Sequence, residues 1–179
     1  MHFFSGSWNA KLDEKGRFVL PSSLRYGLVE DGEIQVFLGL GLGGCLAIYK
    51  RSDVESMVRR FQKKQHLAKY QPFFTTFFSS LQKISPDKVG RVTIPGFLRQ
   101  AAGIGKEIII AGVIDKLEIW PEEVHEKRMQ AFVSGEEGGT LAEEAFALLG
   151  ADEEDLAAPK GSLESLMDAC SRKGAGDPA

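Results

Sequence analysis

Asp13-Glu14-Lys15-Gly16-Arg17-Phe18-Val19-Leu20-Pro21-Ser22-Ser23-Leu24-Arg25 occurs a second time, 74 residues later, as Asp87-Lys88-Val89-Gly90-Arg91-Val92-Thr93-Ile94-Pro95-Gly96-Phe97-Leu98-Arg99. Six of the 13 positions are identical, and Phe18/Val92 and Leu20/Ile94 stay apolar. The likeness continues downstream. Glu33-Ile34 matches Glu107-Ile108 at the same offset, and Leu46-Ala47-Ile48-Tyr49 matches Leu117-Glu118-Ile119-Trp120 at an offset of 71. The chain therefore carries two copies of one supersecondary unit.

Each copy has a local physical reading. Glu14-Lys15-Gly16 lies between two short alternating runs and reads as a tight turn. Gly16 and Gly90 supply the positive φ such turns need, and Asp13 and Asp87 can bond their own backbone amides two residues on. Phe18 with Leu20, and Val92 with Ile94, alternate as one face of a half-buried strand. Pro21 and Pro95 end those strands and can open a short helix, whose Leu24 or Leu98 points into the core. The expected order in each half is strand, turn, strand, short helix, strand, strand.

Working outward, Ser7 to Leu12 reads as a first strand, Ser22 to Val29 as a short helix, Ile34–Leu38 as a third strand and Cys45–Tyr49 as a fourth. Gly39, Gly41, Gly43 and Gly44 form a glycine-rich hairpin connector. They resemble a phosphate loop only superficially, because the Gly-Lys-Ser/Thr ending is missing and a strand follows. Ser52-Asp53-Val54-Glu55 has the spacing of a capping box and predicts a helix start. Val54, Met57, Val58 and Phe61 form its buried stripe, while Arg59, Arg60, Lys63 and Lys64 form a basic face, either solvated or turned to nucleic acid. Phe73, Phe74, Phe77 and Phe78 make one face of a second short helix. So much apolar surface must pack on both units or on a neighbouring subunit, and it is a candidate oligomer interface.

The second unit should run as a strand at Leu81–Ser85, a strand at Arg91–Ile94, a helix at Phe97–Ala102 and strands at Glu107–Gly112 and Lys116–Trp120. Pro121 then opens a helix to about Phe132. His66 reads as a surface or packing residue rather than a ligand, His125 as exposed, Cys45 as core and Cys170 as a tail thiol. The expected organisation is a first unit over residues 7–52, a helical linker over 53–80, a second unit over 81–124, a helix over 125–133 and an acidic, largely flexible tail over 134–179. Thr140–Leu149 and Ser162–Cys170 are possible helices within that tail.

Composition narrows the function classes. The 179-residue chain is 43% hydrophobic, enough for one or two small domains. Its net charge of -3 hides an asymmetry: residues 1–130 hold 19 Lys and Arg against 14 Asp and Glu, whereas residues 131–179 hold 3 against 11. A whole-chain pI of about 5.7 is therefore no argument against a polyanionic partner. Two Cys without metal or redox spacing fit a reducing cytoplasm. No secretory signal or membrane-length apolar run is expected. The pattern offers no Ser/His/Asp or Cys/His set, ligand cluster or phosphate loop, so an enzyme, a metal, a cofactor and a small-molecule substrate are not expected.

On these motifs the chain resembles the MraZ family of bacterial transcriptional regulators, associated with the division and cell wall gene cluster. The resemblance covers about residues 1–130 and rests on Asp13…Arg17 and Asp87…Arg91, each followed by Pro-x-x-Leu-Arg. It implies an α+β, mainly β fold: two AbrB-like (SpoVT-AbrB, swapped-hairpin) β-units forming an intrachain pseudo-dimer, with linking and C-terminal helices. It further implies a ring-like homo-oligomer in the cytoplasm, associated with the nucleoid. Such a protein represses its own gene cluster by binding repeated promoter sites in double-stranded DNA. Arg17 and Arg91 are the implied DNA contacts, with Lys15 beside the first; charge and proximity add Lys11 and Lys88.

An Arg at a rigid turn can fork onto phosphate or onto guanine O6/N7. It can also simply pair with its own Asp, and the two roles are compatible. Arg25 and Arg99 are expected to be structural partners of the turn Asp. The alternative from another class is an assembly or scaffold protein that uses the Phe-rich segment and the acidic tail and binds no DNA.

Overall fold

The computed structural model describes residues 3–64, 66–135 and 144–145. In chain order the strands are β1 (Ser7–Lys11), β2 (Arg17–Val19), β3 (Val29–Glu30), β4 (Glu33–Ile34), β5 (Val36–Leu40), β6 (Leu46–Lys50), β7 (Gln82–Ile84), β8 (Arg91–Thr93), β9 (Glu107–Val113) and β10 (Lys116–Pro121). The helices are α1 (Ser22–Arg25), α2 (Arg51–Gln62), α3 (Gln71–Ser80), α4 (Gly96–Ala101) and α5 (Glu122–Ser134). The chain divides into a unit ending at Glu122, which holds every strand among the described residues, and one beginning at Glu123.

Six strands form one antiparallel sheet in the order β1-β9-β10-β6-β5-β7. By position in the repeat, β1 corresponds to β7, β5 to β9 and β6 to β10. The order therefore reads the same from both edges, with the symmetry line between β10 and β6. Leu117↔Ile48, Glu118↔Ala47 and Ile119↔Leu46 pair across that line. Each repeat's first strand lies against the other repeat: Ser7 of β1 faces Ala111 of β9, and Ile84 of β7 faces Val36 of β5. The motif strands β2 and β8 pair with each other as a separate two-stranded ribbon, centred on Phe18↔Val92.

One core serves both repeats. Leu20, Leu28, Leu38, Leu46 and Ile48 from the first half meet Ile94, Leu98, Ile108, Ile110, Leu117 and Ile119 from the second, all buried. The expected alternation holds: Phe18 and Val92 are each 1% exposed, whereas Val19 is 49% exposed.

Several local expectations give way to tertiary contacts. The helix foreseen over Ser22–Val29 stops at Arg25 and tightens into a 3-10 turn at Tyr26–Leu28, where the Phe4 ring occupies the space a side chain at Gly27 would need. The strand expected over Ile34–Leu38 is split between β4, which pairs with β3, and β5 in the main sheet. Gly39 belongs to β5 rather than to the connector. A Cβ there would lie 2.7 Å from Leu81 Cδ2, so glycine permits the close approach of the linker's end.

The capping box does not form. Helix α2 begins at Arg51, and Glu30 from β3 accepts bonds from the Ser52 hydroxyl and from the Ser52 backbone N–H, the latter at 3.2 Å. A carboxylate from another segment satisfies the helix start, and Glu55 turns to Arg51 at 3.7 Å. Pro121 ends β10 rather than opening α5. Cys45 is buried as expected, His66 takes the surface reading of its two, and His125 is half-buried rather than exposed. The expectations for residues 136–179 fall outside the described residues, apart from helical Glu144 and Ala145.

The Phe-rich helix finds its partners within the chain. Phe61 of α2 lies 5.2 Å from Phe74, 5.7 Å from Phe78 and 5.9 Å from Phe73. Phe77 stacks on Phe73 at 5.5 Å and meets Tyr49 of β6 edge-on at 6.2 Å. Phe73 and Phe77 are buried by these contacts, while Phe74 and Phe78 remain half-buried. Ser80 ties the end of α3 to the sheet, with its hydroxyl donating to Phe77 O at 2.7 Å and accepting from Leu40 N at 3.1 Å. Among the described residues no helix is long and apolar enough to cross a membrane.

Phe77→Ala should cost about 3–4 kcal/mol, the usual loss for a buried Phe, read as a lowered urea midpoint with an unchanged slope. Val133→Ala, at a position 82% exposed, should leave the midpoint within about 0.5 kcal/mol of wild type.

Candidate nucleic-acid interface

The two Asp-x-x-x-Arg turns are built on the same plan. In the first, Asp13 Oδ1 accepts the Lys15 and Arg17 backbone N–H groups, both at 2.9 Å. Its Oδ2 takes Arg17 Nε and Nη2, both at 2.8 Å. In the second, Asp87 Oδ1 accepts the Val89 and Arg91 N–H groups at 3.0 and 2.8 Å, and Oδ2 takes Arg91 Nε at 2.6 Å. One carboxylate oxygen shapes the backbone and the other aims the guanidinium. A guanidinium has five N–H donors, so neither ion pair consumes the fork. Arg17 and Arg91 thus pair with their own Asp residues, and that pairing leaves guanidinium N–H groups over.

These bonds act on the carboxyl groups. The Arg91 backbone N–H, then its side chain, lower the Asp87 carboxyl from the ordinary 3.8 to about 2. Asp13 is lowered as well, first by the Arg17 backbone N–H. A depressed carboxyl contributes stability that is complete above its ordinary value and is lost as pH falls through its folded value.

Gly16 and Gly90 have φ of 72° and 94°, and both are buried for a reason the motif alone does not reveal. Arg25 and Arg99 do not join the turn Asp residues. They cross between repeats. A Cβ on Gly16 would lie 2.9 Å from Arg99 Cζ, and one on Gly90 would run into the Arg25 guanidinium. Each turn of one repeat is thus backed by the Arg at the end of the other repeat's short helix. Arg25 Nε donates to Leu20 O at 2.8 Å. Two backbone bonds complete the arrangement, Leu20 N to Gly90 O and Ile94 N to Gly16 O, both at 2.9 Å.

The ribbon brings four of the five expected contact residues into one neighbourhood. Arg17 and Arg91 flank its centre on the outward face, and Lys15 and Lys88 are exposed on the turns. Lys11 stands apart on β1, facing Glu107 across the strand pair and bonded to it at 3.2 Å. Arg59 and Arg60 of α2, and Lys63 and Lys64 in the turn that follows it, are exposed. Sequence reasoning overlooked Val19 and Thr93, the other two outward side chains of the ribbon. The available signal was the pleat itself: if Phe18 and Val92 point in, their neighbours point out.

A duplicated turn-and-ribbon protein with paired Asp–Arg clasps is the class these observations define. The family model described as "MraZ protein, putative antitoxin-like" matches residues 3–72 and 77–145, and the chain belongs to this family. A protein named transcriptional regulator MraZ from Cutibacterium acnes is 36% identical over 145 residues, 80% of this chain and 92% of that protein. Relatives of the same name from Lachnoclostridium phytofermentans and Clostridium acetobutylicum are 35% and 37% identical, each over 67% of this chain and 82% of their own length.

Gly90→Ala and Gly32→Ala both place a side chain at positive φ, at about 1–2 kcal/mol. Gly32 has nothing within 4 Å; at Gly90 the Arg25 clash should add about 1–3 kcal/mol, visible as a larger loss in urea unfolding. Asp87→Asn should lower stability above about pH 5, and the gap from wild type should close as pH falls from about 4 to about 2.

Proposed function

We propose that this protein is a DNA-binding transcription regulator that reads duplex DNA with the β2–β8 ribbon and its two turns. The observation that carries this is the placement of two clasped Arg side chains on one outward ribbon face. A two-stranded β-ribbon fits the major groove. Arg17 and Arg91 contact phosphate or guanine there, and Lys15 and Lys88 neutralise phosphates nearby. The name borne by the relatives supports regulation of transcription. The exchange of first strands between repeats supports the swapped-hairpin, AbrB-like reading of units 7–52 and 81–124 as an intrachain pseudo-dimer.

One chain offers few phosphate contacts and binds weakly, since each neutralised phosphate adds only about 0.9 to the salt slope. We therefore place the affinity in a ring-like homo-oligomer that engages several direct repeats, where linkage converts weak contacts into avidity. In this reading the protein represses its own division and cell wall gene cluster from promoter repeats and acts at the nucleoid. The half-exposed Phe74 and Phe78 are available to contact a neighbouring subunit.

Binding to DNA from upstream of its own gene, titrated with salt, tests the proposal. Arg17→Ala and Arg91→Ala should each lower affinity at least tenfold and reduce the salt slope by about 1 per lost phosphate contact, with fold and assembly intact by circular dichroism and light scattering. Wild-type binding no tighter than to random DNA would instead favour the assembly role.

A further inference from the structure

The ribbon's outward face holds more than its two cations. Phe18 and Val92 are opposite one another and point inward. Pleat alternation then puts Arg17, Val19, Arg91 and Thr93 on the other side. The register makes Arg17↔Thr93 and Val19↔Arg91 the directly opposed pairs. The outward face is therefore a two-by-two array with an Arg at each of two diagonal corners. Val19, 49% exposed, and Thr93, exposed, occupy the other two.

The pseudo-symmetry makes this array informative. Val19 and Thr93 are equivalent positions of the two repeats, each two residues after the turn Arg. The Arg corners match; these corners do not. One offers only a branched hydrocarbon, the other a hydroxyl that donates and accepts. A lone exposed Val is ordinary. This one lies between two aimed guanidinium groups, on the face that any groove-bound ribbon turns toward base edges.

We propose that Val19 and Thr93 are the specificity-determining side chains of the ribbon, Val19 packing on a thymine methyl and Thr93 hydrogen-bonding a base edge. The inference rests on the DNA-binding reading above and deepens it. It divides the labour on the face: the Arg clasps dock the ribbon on phosphate or guanine alike in both repeats, and the two unlike corners supply the readout that differs between them. Because the corners differ, the ribbon reads a non-palindromic step despite its near-twofold backbone. Every contact then has a direction along the duplex, which suits direct rather than inverted repeats.

The test is selection from a randomised duplex library with the full chain, followed by binding measurements on Val19→Thr, Thr93→Val and the double exchange. Both positions are exposed, so folding should survive, and circular dichroism and light scattering check this. The expected result is that each single variant loses discrimination at one base pair, where a mismatch costs wild type about 5- to 150-fold. Affinity for random DNA and the salt slope should stay at wild-type values. Variants that select the wild-type sequence with unchanged discrimination overturn the proposal and leave the Arg reading intact. An equal loss on all sequences overturns it too, marking the two residues as backbone contacts. Altered assembly with unaltered DNA selectivity would show the face to be an interface between copies. If wild type selects no sequence, the DNA-binding reading falls with it.

Discussion

Antiparallel pairing of β2 with β8 is the constraint on which the rest of the molecule depends. Three residues from each repeat meet at Phe18↔Val92, and that contact sets everything around it. Inward, it seats two side chains in the shared core. At its ends, it delivers Gly90 O to Leu20 N and Gly16 O to Ile94 N, so each turn is hydrogen-bonded to the other repeat. It also brings α1 and α4 close enough for Arg25 and Arg99 to back the opposite turns. Neither turn is a property of its own repeat. The Asp clasp is local, but the floor beneath it is borrowed.

That arrangement explains the mix of residues in the motif. Asp and Arg at a spacing of four make the clasp. Gly is required twice over, by positive φ and by the guanidinium beneath it. Pro ends the strand, Leu enters the core, and the final Arg reaches across. The identical positions in the two copies are those with a bond or a packing role in this reciprocal geometry. Positions free of it, such as Val19 and Thr93, diverge.

Much of this was legible in sequence, because the repeat, the strand faces and the turn chemistry are local signals. The alternation of Phe18 and Leu20 fixed their burial, and the Asp-to-amide bonds follow from residue type and spacing. What stayed hidden involves a partner from far along the chain. Nothing within 13 residues says that Arg25 will choose Gly90 over Asp13. Ser52 looked like a cap until Glu30 arrived from another strand, and the four Phe left open whether their partners lay in the chain or in a neighbour because Phe61 and Tyr49 sit in earlier elements. Local rules predict what a residue can do; the global pairing decides which offer is taken.

The placement of β1 against β9 also has a temporal side. Ser7 must wait for Ala111, roughly one hundred residues further on, before its backbone groups are paired. At about 5–20 residues per second of synthesis, the N-terminal strand passes several seconds on the ribosome as an open edge. Closing so long a loop is slow, and folding dominated by such distant contacts lags behind local folding. The first repeat thus leaves the exit tunnel with its own strand unplaced.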